Sequence, residues 1–285
     1  RQIAKDASIV GGATLLSRIL GFFRDMILAY VLGAGIAADA FYVAYRLPNM
    51  MRRLFAEGSM TMAFVPVFQK LREEVGDEKA FAMPRSAMVW LLIILSVLTT
   101  LAIVFARPLT KLITPGFADD PALFDLTVDL TRIVFPYIIE ISAVALCMGV
   151  LNSFGHFLAP ALATSELNTI IILGAGVAWL FGFDPAYTLA WSVVIGGIGQ
   201  VYMQMPQLKK FGFSWRGPWS LRDKGVLRMG MLMLPTAFGA AVYQLNIVLG
   251  TLLASFLPTG SISYLYYADR LVQFPLGVFG VAVGT

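Results

Sequence analysis

Five arginines stand in one apolar stretch, SRILGFFRDMILAYVLGAGIAADAFYVAYRLPNMMRRLFAE, which spans residues 17–57. They are Arg18, Arg24, Arg46, Arg52 and Arg53, and the stretch also carries Asp25, Asp39 and Glu57. A charge at the centre of a bilayer costs about 2.5–3.5 kcal/mol on insertion scales, so arginines among these residues make little sense on a lipid-facing surface. They make sense facing a wet cavity inside the protein that receives something anionic. A guanidinium stays protonated in an apolar site and forms bidentate, charge-assisted bonds to phosphate. The chemistry on offer is therefore capture of a phosphate-like anion at membrane depth.

Spacing refines this. Arg18 and Arg24 are about 120° apart around a helix, so they share a broad cavity wall but not one narrow stripe. Arg18 and Asp25 are nearly eclipsed but about two turns apart along the axis. Arg52 and Arg53 diverge by about 100°, and Arg53 and Glu57 are placed to pair at i, i+4. Arg270, late in the chain, adds a further cation beside Asp269. The competing reading has these cations snorkelling or neutralised by Asp25, Asp39, Glu57 and Asp269. That accounts for one or two of them. The six arginines outnumber the four acids, which favours an anion-binding cavity.

The elements that position these residues are membrane helices. The chain is 58% hydrophobic and only 13% charged, about half the charge of soluble domains. Apolar runs of helical length favour a helix bundle over a β-barrel. The single Cys147 and single His156 leave no disulfide framework, no cysteine or histidine metal cluster and no His-based triad. No cofactor, no metal site and no nucleic-acid partner are expected. The segment after Arg1 and Lys5 reads as a first membrane helix rather than a cleaved signal.

Eight helices are expected, over about 7–32, 37–70, 86–106, 121–152, 160–182, 186–208, 226–256 and 261 to the end. The second is expected to kink at Pro48. Charged or proline-bearing loops are expected at 70–85 and 107–120. In the short loops, one side collects twelve of the 21 cations, and the other holds only Arg107 and Lys111. The rule that positive loops stay inside then places the N-terminus and the 70–85 and 209–228 loops in the cytoplasm. Three regions are expected: an N-terminal lobe over 1–210, a basic interfacial loop over 211–225, and the start of a second lobe over 226–285.

That division rests partly on an internal repeat. Tyr42-Val43-Ala44-Tyr45-Arg46-Leu47 is similar to Tyr266-Tyr267-Ala268-Asp269-Arg270-Leu271 at an offset of 224 residues. Six helices per unit makes the repeats parallel, related by an axis along the membrane normal. Chance similarity between aromatic membrane segments is the alternative. If the repeat holds, the chain ends inside its second unit and is expected to be the front part of a longer protein.

Other features read more simply. Asp125, Asp129 and Arg132 suit a solvated face or a lateral pair. Glu140 and Glu166 suit either ion coupling or structural carboxyls. Gly196-Gly197-Ile198-Gly199 has no preceding strand and reads as close helix packing rather than a nucleotide loop. The segment 211–219 with its flanking cations reads as resting on headgroups, and His156 as an interfacial loop residue.

A resemblance emerges from the longest motifs. SRILGFFRD at 17–25, GAGIAADAFYVAYRLPN at 33–49, RRLFAEG at 52–58, AFVPVF at 63–68 and YADRLVQFPLGVFGVAVGT at 267–285 resemble the bacterial MurJ (MviN-like) lipid II flippases. That family lies within the multidrug/oligosaccharidyl-lipid/polysaccharide exporter superfamily. The resemblance implies an all-α polytopic membrane protein of the bacterial cytoplasmic (inner) membrane. It implies a two-lobed exporter fold around a central cavity, about fourteen helices in a full member, and a second lobe truncated here. It implies a transporter rather than an enzyme, moving undecaprenyl-pyrophosphate-linked disaccharide-pentapeptide (lipid II) to the outer leaflet for peptidoglycan synthesis. The family's cavity charges match Arg18, Arg24, Asp39, Arg52 and Arg270. The expected substrate-binding set is Arg18, Arg24, Arg52 and Arg270, and the expected gating or ion-pair set is Asp25, Asp39, Arg53, Glu57 and Asp269. A coupling ion is left open among proton, sodium and chloride, as is drive by the membrane potential. The alternative cargo is a drug or cation, or another polyprenyl-linked saccharide. An arginine-rich cavity argues against a cation, which would want carboxylates.

Overall fold

The computed structural model describes the backbone of residues 2–55 and 59–284, and the side chains of 11–50, 60, 62–236 and 238–275. Among these residues the chain is mostly helical, with no strands. The helices are α1 (Gln2–Leu32), α2 (Ile36–Phe55), α3 (Ser59–Val75), α4 (Asp77–Ala80), α5 (Ala82–Val104) and α6 (Ala106–Ile113). After a 3₁₀ turn (Pro115–Asp119) come α7 (Pro121–Val134), α8 (Tyr137–Ser153), α9 (Leu158–Phe181), α10 (Pro185–Lys210), α11 (Lys224–Ala254) and α12 (Ser261–Gly284).

Each expected helix is present, as one helix or as two in succession. The second expected helix is α2 and α3, which keep Pro48 and Pro66 inside them. The fourth is α7 and α8, interrupted at Phe135 and Pro136, because proline lacks the N–H that would continue the ladder. The charged 70–85 region is mostly helical, since α3 runs on to Val75 and α4 and α5 follow at once. The 107–120 region is likewise ordered into α6 and the 3₁₀ turn.

Helix starts follow local chemistry. The side chains of Asp120, Asp184 and Asp223 accept hydrogen bonds from the first free N–H groups of α7, α10 and α11. In α7 and α10 a proline occupies the first helical position, where its missing N–H costs nothing.

By length and apolar composition, Asp77–Val104, Pro121–Ser153 and Leu158–Phe181 can each cross a membrane, and the bent pair Lys224–Thr236 and Phe238–Ala254 makes a fourth. α5 turns Leu92, Ile93, Ile94, Val97, Leu101 and Val104 outward, as a lipid-facing helix must. α7 and α8 are the most enclosed of these spans, packed against α2, α3, α5 and α10. The core gathers Phe41, Tyr42, Leu130, Val134, Ala175 and Val193 from four helices. The Gly196–Gly199 cluster is close packing, as its composition suggests. A Cβ on Gly197 would lie 2.0 Å from Glu140 Oε2, and one on Gly199 would lie 2.1 Å from Glu166 Oε1.

The repeat is visible as a contact. Tyr42 stacks on Tyr266 at 3.9 Å between centroids, and Asp39 binds the backbone of Ser263. Both pairs are 224 residues apart, the offset of the repeated hexamers. Equivalent residues facing one another in register is what a two-fold axis between parallel α2 and α12 produces.

Candidate functional site: an arginine-lined cavity

α1, α2, α8, α9, α10 and α12 enclose a cavity of about 610 Å³. It begins near Thr14, Asn152 and Phe157, beside the turn between α8 and α9, and ends at mid-height around Arg24, Asp25, Tyr45 and Tyr137. Arg18, Arg24 and Arg270 all line it.

At its inner end the charges form a small network. Arg24 is 9% exposed and Asp25 6%, so both depend on protein partners. Arg24 Nε and Nη2 donate to Asp25 Oδ1 at 3.0 and 2.7 Å, and Nη1 donates to Asn168 Oδ1 at 2.9 Å. Asn168 is held in turn by donating from Nδ2 to Ser17 O at 3.2 Å. Arg270 Nε lies 3.3 Å from Asp25 Oδ2. Tyr266 donates its hydroxyl to Asp25 Oδ1 at 3.3 Å, and its ring lies under the Arg270 guanidinium at 4.9 Å. One carboxylate thus holds two guanidiniums from two different helices. Arg18 is exposed to the cavity, and no carboxylate among the described residues pairs with it. Among the described residues the net local charge is positive, with Arg18 outside any ion pair and two cations that share a single acid. Such a site suits a multiply charged anion.

The far end of the bundle is sealed. Asp39, 1% exposed, accepts from Gly260 N and Ser263 N, each at 2.7 Å, at the start of α12. Tyr267 donates to Gly33 O at 2.7 Å, and Gly116 N donates to Ser255 Oγ at 3.1 Å. Gly116 is there because nothing larger fits: a Cβ would come within 2.2 Å of Ser255 O. The basic segments gather at the opposite end, where the cavity begins. Arg72 donates to Ser153 O, Arg85 to Ser214 O and Trp90 to Leu221 O.

The structure therefore brings Arg18, Arg24 and Arg270 together around one space. Asp39, expected in the gating or ion-pair set, has backbone N–H groups as its partners here. Asp269 is exposed and accepts from Gln273 Nε2 at 2.5 Å. The side chains of Arg52, Arg53 and Glu57 lie outside the described residues. Asp125, Asp129 and Arg132 form lateral pairs, Arg107 with Asp125 and Arg132 with Asp129. Sequence reasoning missed Asn168, which orients Arg24. An asparagine inside the apolar run of α9 was the available signal, because polar groups at that depth need a partner.

This fold defines a multi-pass helical membrane protein. A MOP superfamily transporter from Pyrococcus furiosus shares the fold at a TM-score of 0.73, 13% identical, over 98% of this chain and 62% of its own. The family follows from closer matches. The lipid II flippase MurJ family model matches residues 28–285. A probable lipid II flippase MurJ of Rhizobium tropici is 42% identical over 288 residues, 99% of this chain and 54% of its own length. A solved lipid II flippase MurJ in an inward closed conformation superposes with a TM-score of 0.78 at 29% identity, over 95% of this chain and 55% of its own. The chain belongs to the MurJ family. It spans about half the length of the curated relatives it matches.

Proposed function

We propose that this chain forms part of a lipid II flippase of the bacterial inner membrane, which passes undecaprenyl-pyrophosphate-linked disaccharide-pentapeptide from the cytoplasmic to the outer leaflet. The observation that carries this reading is the convergence of Arg18, Arg24 and Arg270 on a cavity that begins at one end of the bundle and is sealed at the other. The substrate comes from the names of the relatives, and the chemistry agrees: a lipid diphosphate is an anion that must pass mid-membrane. No bond is made or broken in such transport.

In the proposed cycle the N-terminal end is cytoplasmic, so the cavity receives the headgroup from the cytoplasm. The diphosphate binds Arg18 first, because that cation is exposed and has no ion pair among the described residues, and then competes with Asp25 for Arg24 and Arg270. Arg52 would join from α2. The polyprenyl tail stays in lipid and leaves through the seam between α1 and α12, where Phe22 and Phe274 stack at 4.2 Å and must part. Residues 1–210 and 226–285 then move as parts of two lobes, with 211–225 as the interfacial loop between them. Opening the outer end requires Asp39 to release α12.

Arg18 supplies the test. Arg18→Ala, in the full-length protein at normal membrane level, is expected to cut lipid II transport in cells by about tenfold or more. Arg18→Lys is expected to retain part of it, since charge survives while the fork geometry does not. Unchanged transport by Arg18→Ala would remove the proposed first contact.

A further inference from the structure

A second cavity, of about 260 Å³, lies between α2, α11 and α12. It shares Arg270, Gln273 and Asn49 with the larger one, so the two spaces adjoin across the same α12 residues. Its own cation is Arg46, which donates from Nη1 to Thr251 Oγ1 on α11. Thr251 Oγ1 is itself anchored to Ile247 O at 2.9 Å. No carboxylate among the described residues pairs with Arg46, whereas Arg24 and Arg270 both meet Asp25. The acid in this cavity, Asp269, is engaged by Gln273.

The repeat supplies an independent observation. At the offset of 224, Arg46 is the counterpart of Arg270. The axis that relates them is seen in the Tyr42–Tyr266 and Asp39–Ser263 contacts. Arg46 therefore stands to α2 as Arg270 stands to α12, a cation turned toward the shared polar space and, among the described residues, in no ion pair.

We propose that Arg46 anchors a second anion subsite that takes a carboxylate of the peptide portion of the ligand whose diphosphate sits at Arg18, Arg24 and Arg270. This rests on the flippase reading above. The lining selects a carboxylate over a second phosphate. Asp269 repels a dianion more strongly than a monoanion, while the Gln244 amide offers a donor and an acceptor matched to peptide groups. A guanidinium fork is suited to a planar carboxylate.

The test measures binding of two purified probes to the full-length protein: lipid II, which carries the peptide, and undecaprenyl pyrophosphate, which does not. Arg46→Ala is expected to weaken lipid II by about tenfold while leaving undecaprenyl pyrophosphate unchanged. Thr251→Val removes the hydrogen-bond partner of Arg46 but keeps the cation, and both affinities are expected to stay within about twofold of wild type. Converting the terminal carboxylate of lipid II to an amide is expected to reproduce the loss in wild type and to add nothing in Arg46→Ala. Equal losses of both probes in Arg46→Ala, no loss of either, or the same loss in Thr251→Val would overturn the subsite. If wild type binds neither probe, the flippase reading falls and the subsite with it. If wild type binds both and Arg46→Ala is silent, only the subsite falls.

Discussion

The Arg24→Ala variant is expected to abolish transport, with a loss of about a hundredfold or more in cells at matched protein level. Arg24 is nearly buried and makes three charge-assisted contacts, two to Asp25 and one to Asn168. Each hydrogen bond to a charged group is worth about 1.5–3 kcal/mol, and a hundredfold change corresponds to about 2.7 kcal/mol. Two effects combine. The ligand loses a cation at the inner end of the cavity. Asp25 also loses its strongest partner and turns wholly to Arg270 and Tyr266, which removes Arg270 from the ligand as well. Breaking a fully buried pair costs about 3–5 kcal/mol of stability, but Asp25 keeps two partners here, so the thermal stability of the purified variant is expected to fall by less. Arg24→Lys cannot bridge Asp25 and Asn168 with one ammonium, so it is expected to recover stability better than transport. A variant that transports normally would remove Arg24 from the mechanism.

The second large effect is expected at Asp39. Its carboxylate satisfies two buried backbone donors at the start of α12, so Asp39→Ala leaves Gly260 N and Ser263 N without partners at a site closed to water. An orphaned buried donor costs about 1–3 kcal/mol, giving about 2–6 kcal/mol for the pair if the end stays shut. Opening toward water relieves that cost, so the equilibrium shifts to the outward-open side. Ser263 is fully buried, and Ser263→Cys makes a near-isosteric reporter. Its labelling by a membrane-impermeant maleimide is expected to rise by about tenfold or more when Asp39→Ala is added. The native Cys147 is itself fully buried, so background labelling stays low. Equal labelling with and without Asp39 would show that the contact does not hold the end closed.

Much of this was legible in the residues, and the exceptions have physical causes. Charge depletion and apolar length announced a helical membrane protein, and the surplus of arginine over acid pointed to arginines facing an internal cavity, where Arg18, Arg24 and Arg270 stand. Helical spacing placed Arg18 and Arg24 on one broad wall, and both are found there. Periodicity orients a side chain about its own helix axis but does not say which helix comes to meet it. For that reason the bridge from Asp25 to Arg270, and the support of Arg24 by Asn168, needed the packing of α1 against α9 and α12. The partners of Asp39 were hidden for another reason: backbone N–H groups carry no sequence signature. Prolines divided unevenly. Pro48 and Pro66 stay within helices, as bundled membrane helices allow, while Pro136 separates α7 from α8. The repeat is a six-residue similarity in the chain, and in the fold two residue pairs at its offset touch.

The central claim is that the cavity arginines hold the diphosphate of a polyprenyl lipid. The most direct measurement is equilibrium binding of lipid II to the full-length protein, wild type against an Arg18→Ala/Arg24→Ala/Arg270→Ala triple variant, with undecaprenyl pyrophosphate as competitor. The account predicts that wild type binds, that the bare diphosphate lipid displaces lipid II, and that the folded triple variant binds neither. Equal binding by the folded triple variant and wild type would contradict it, leaving the arginines as structural or gating elements.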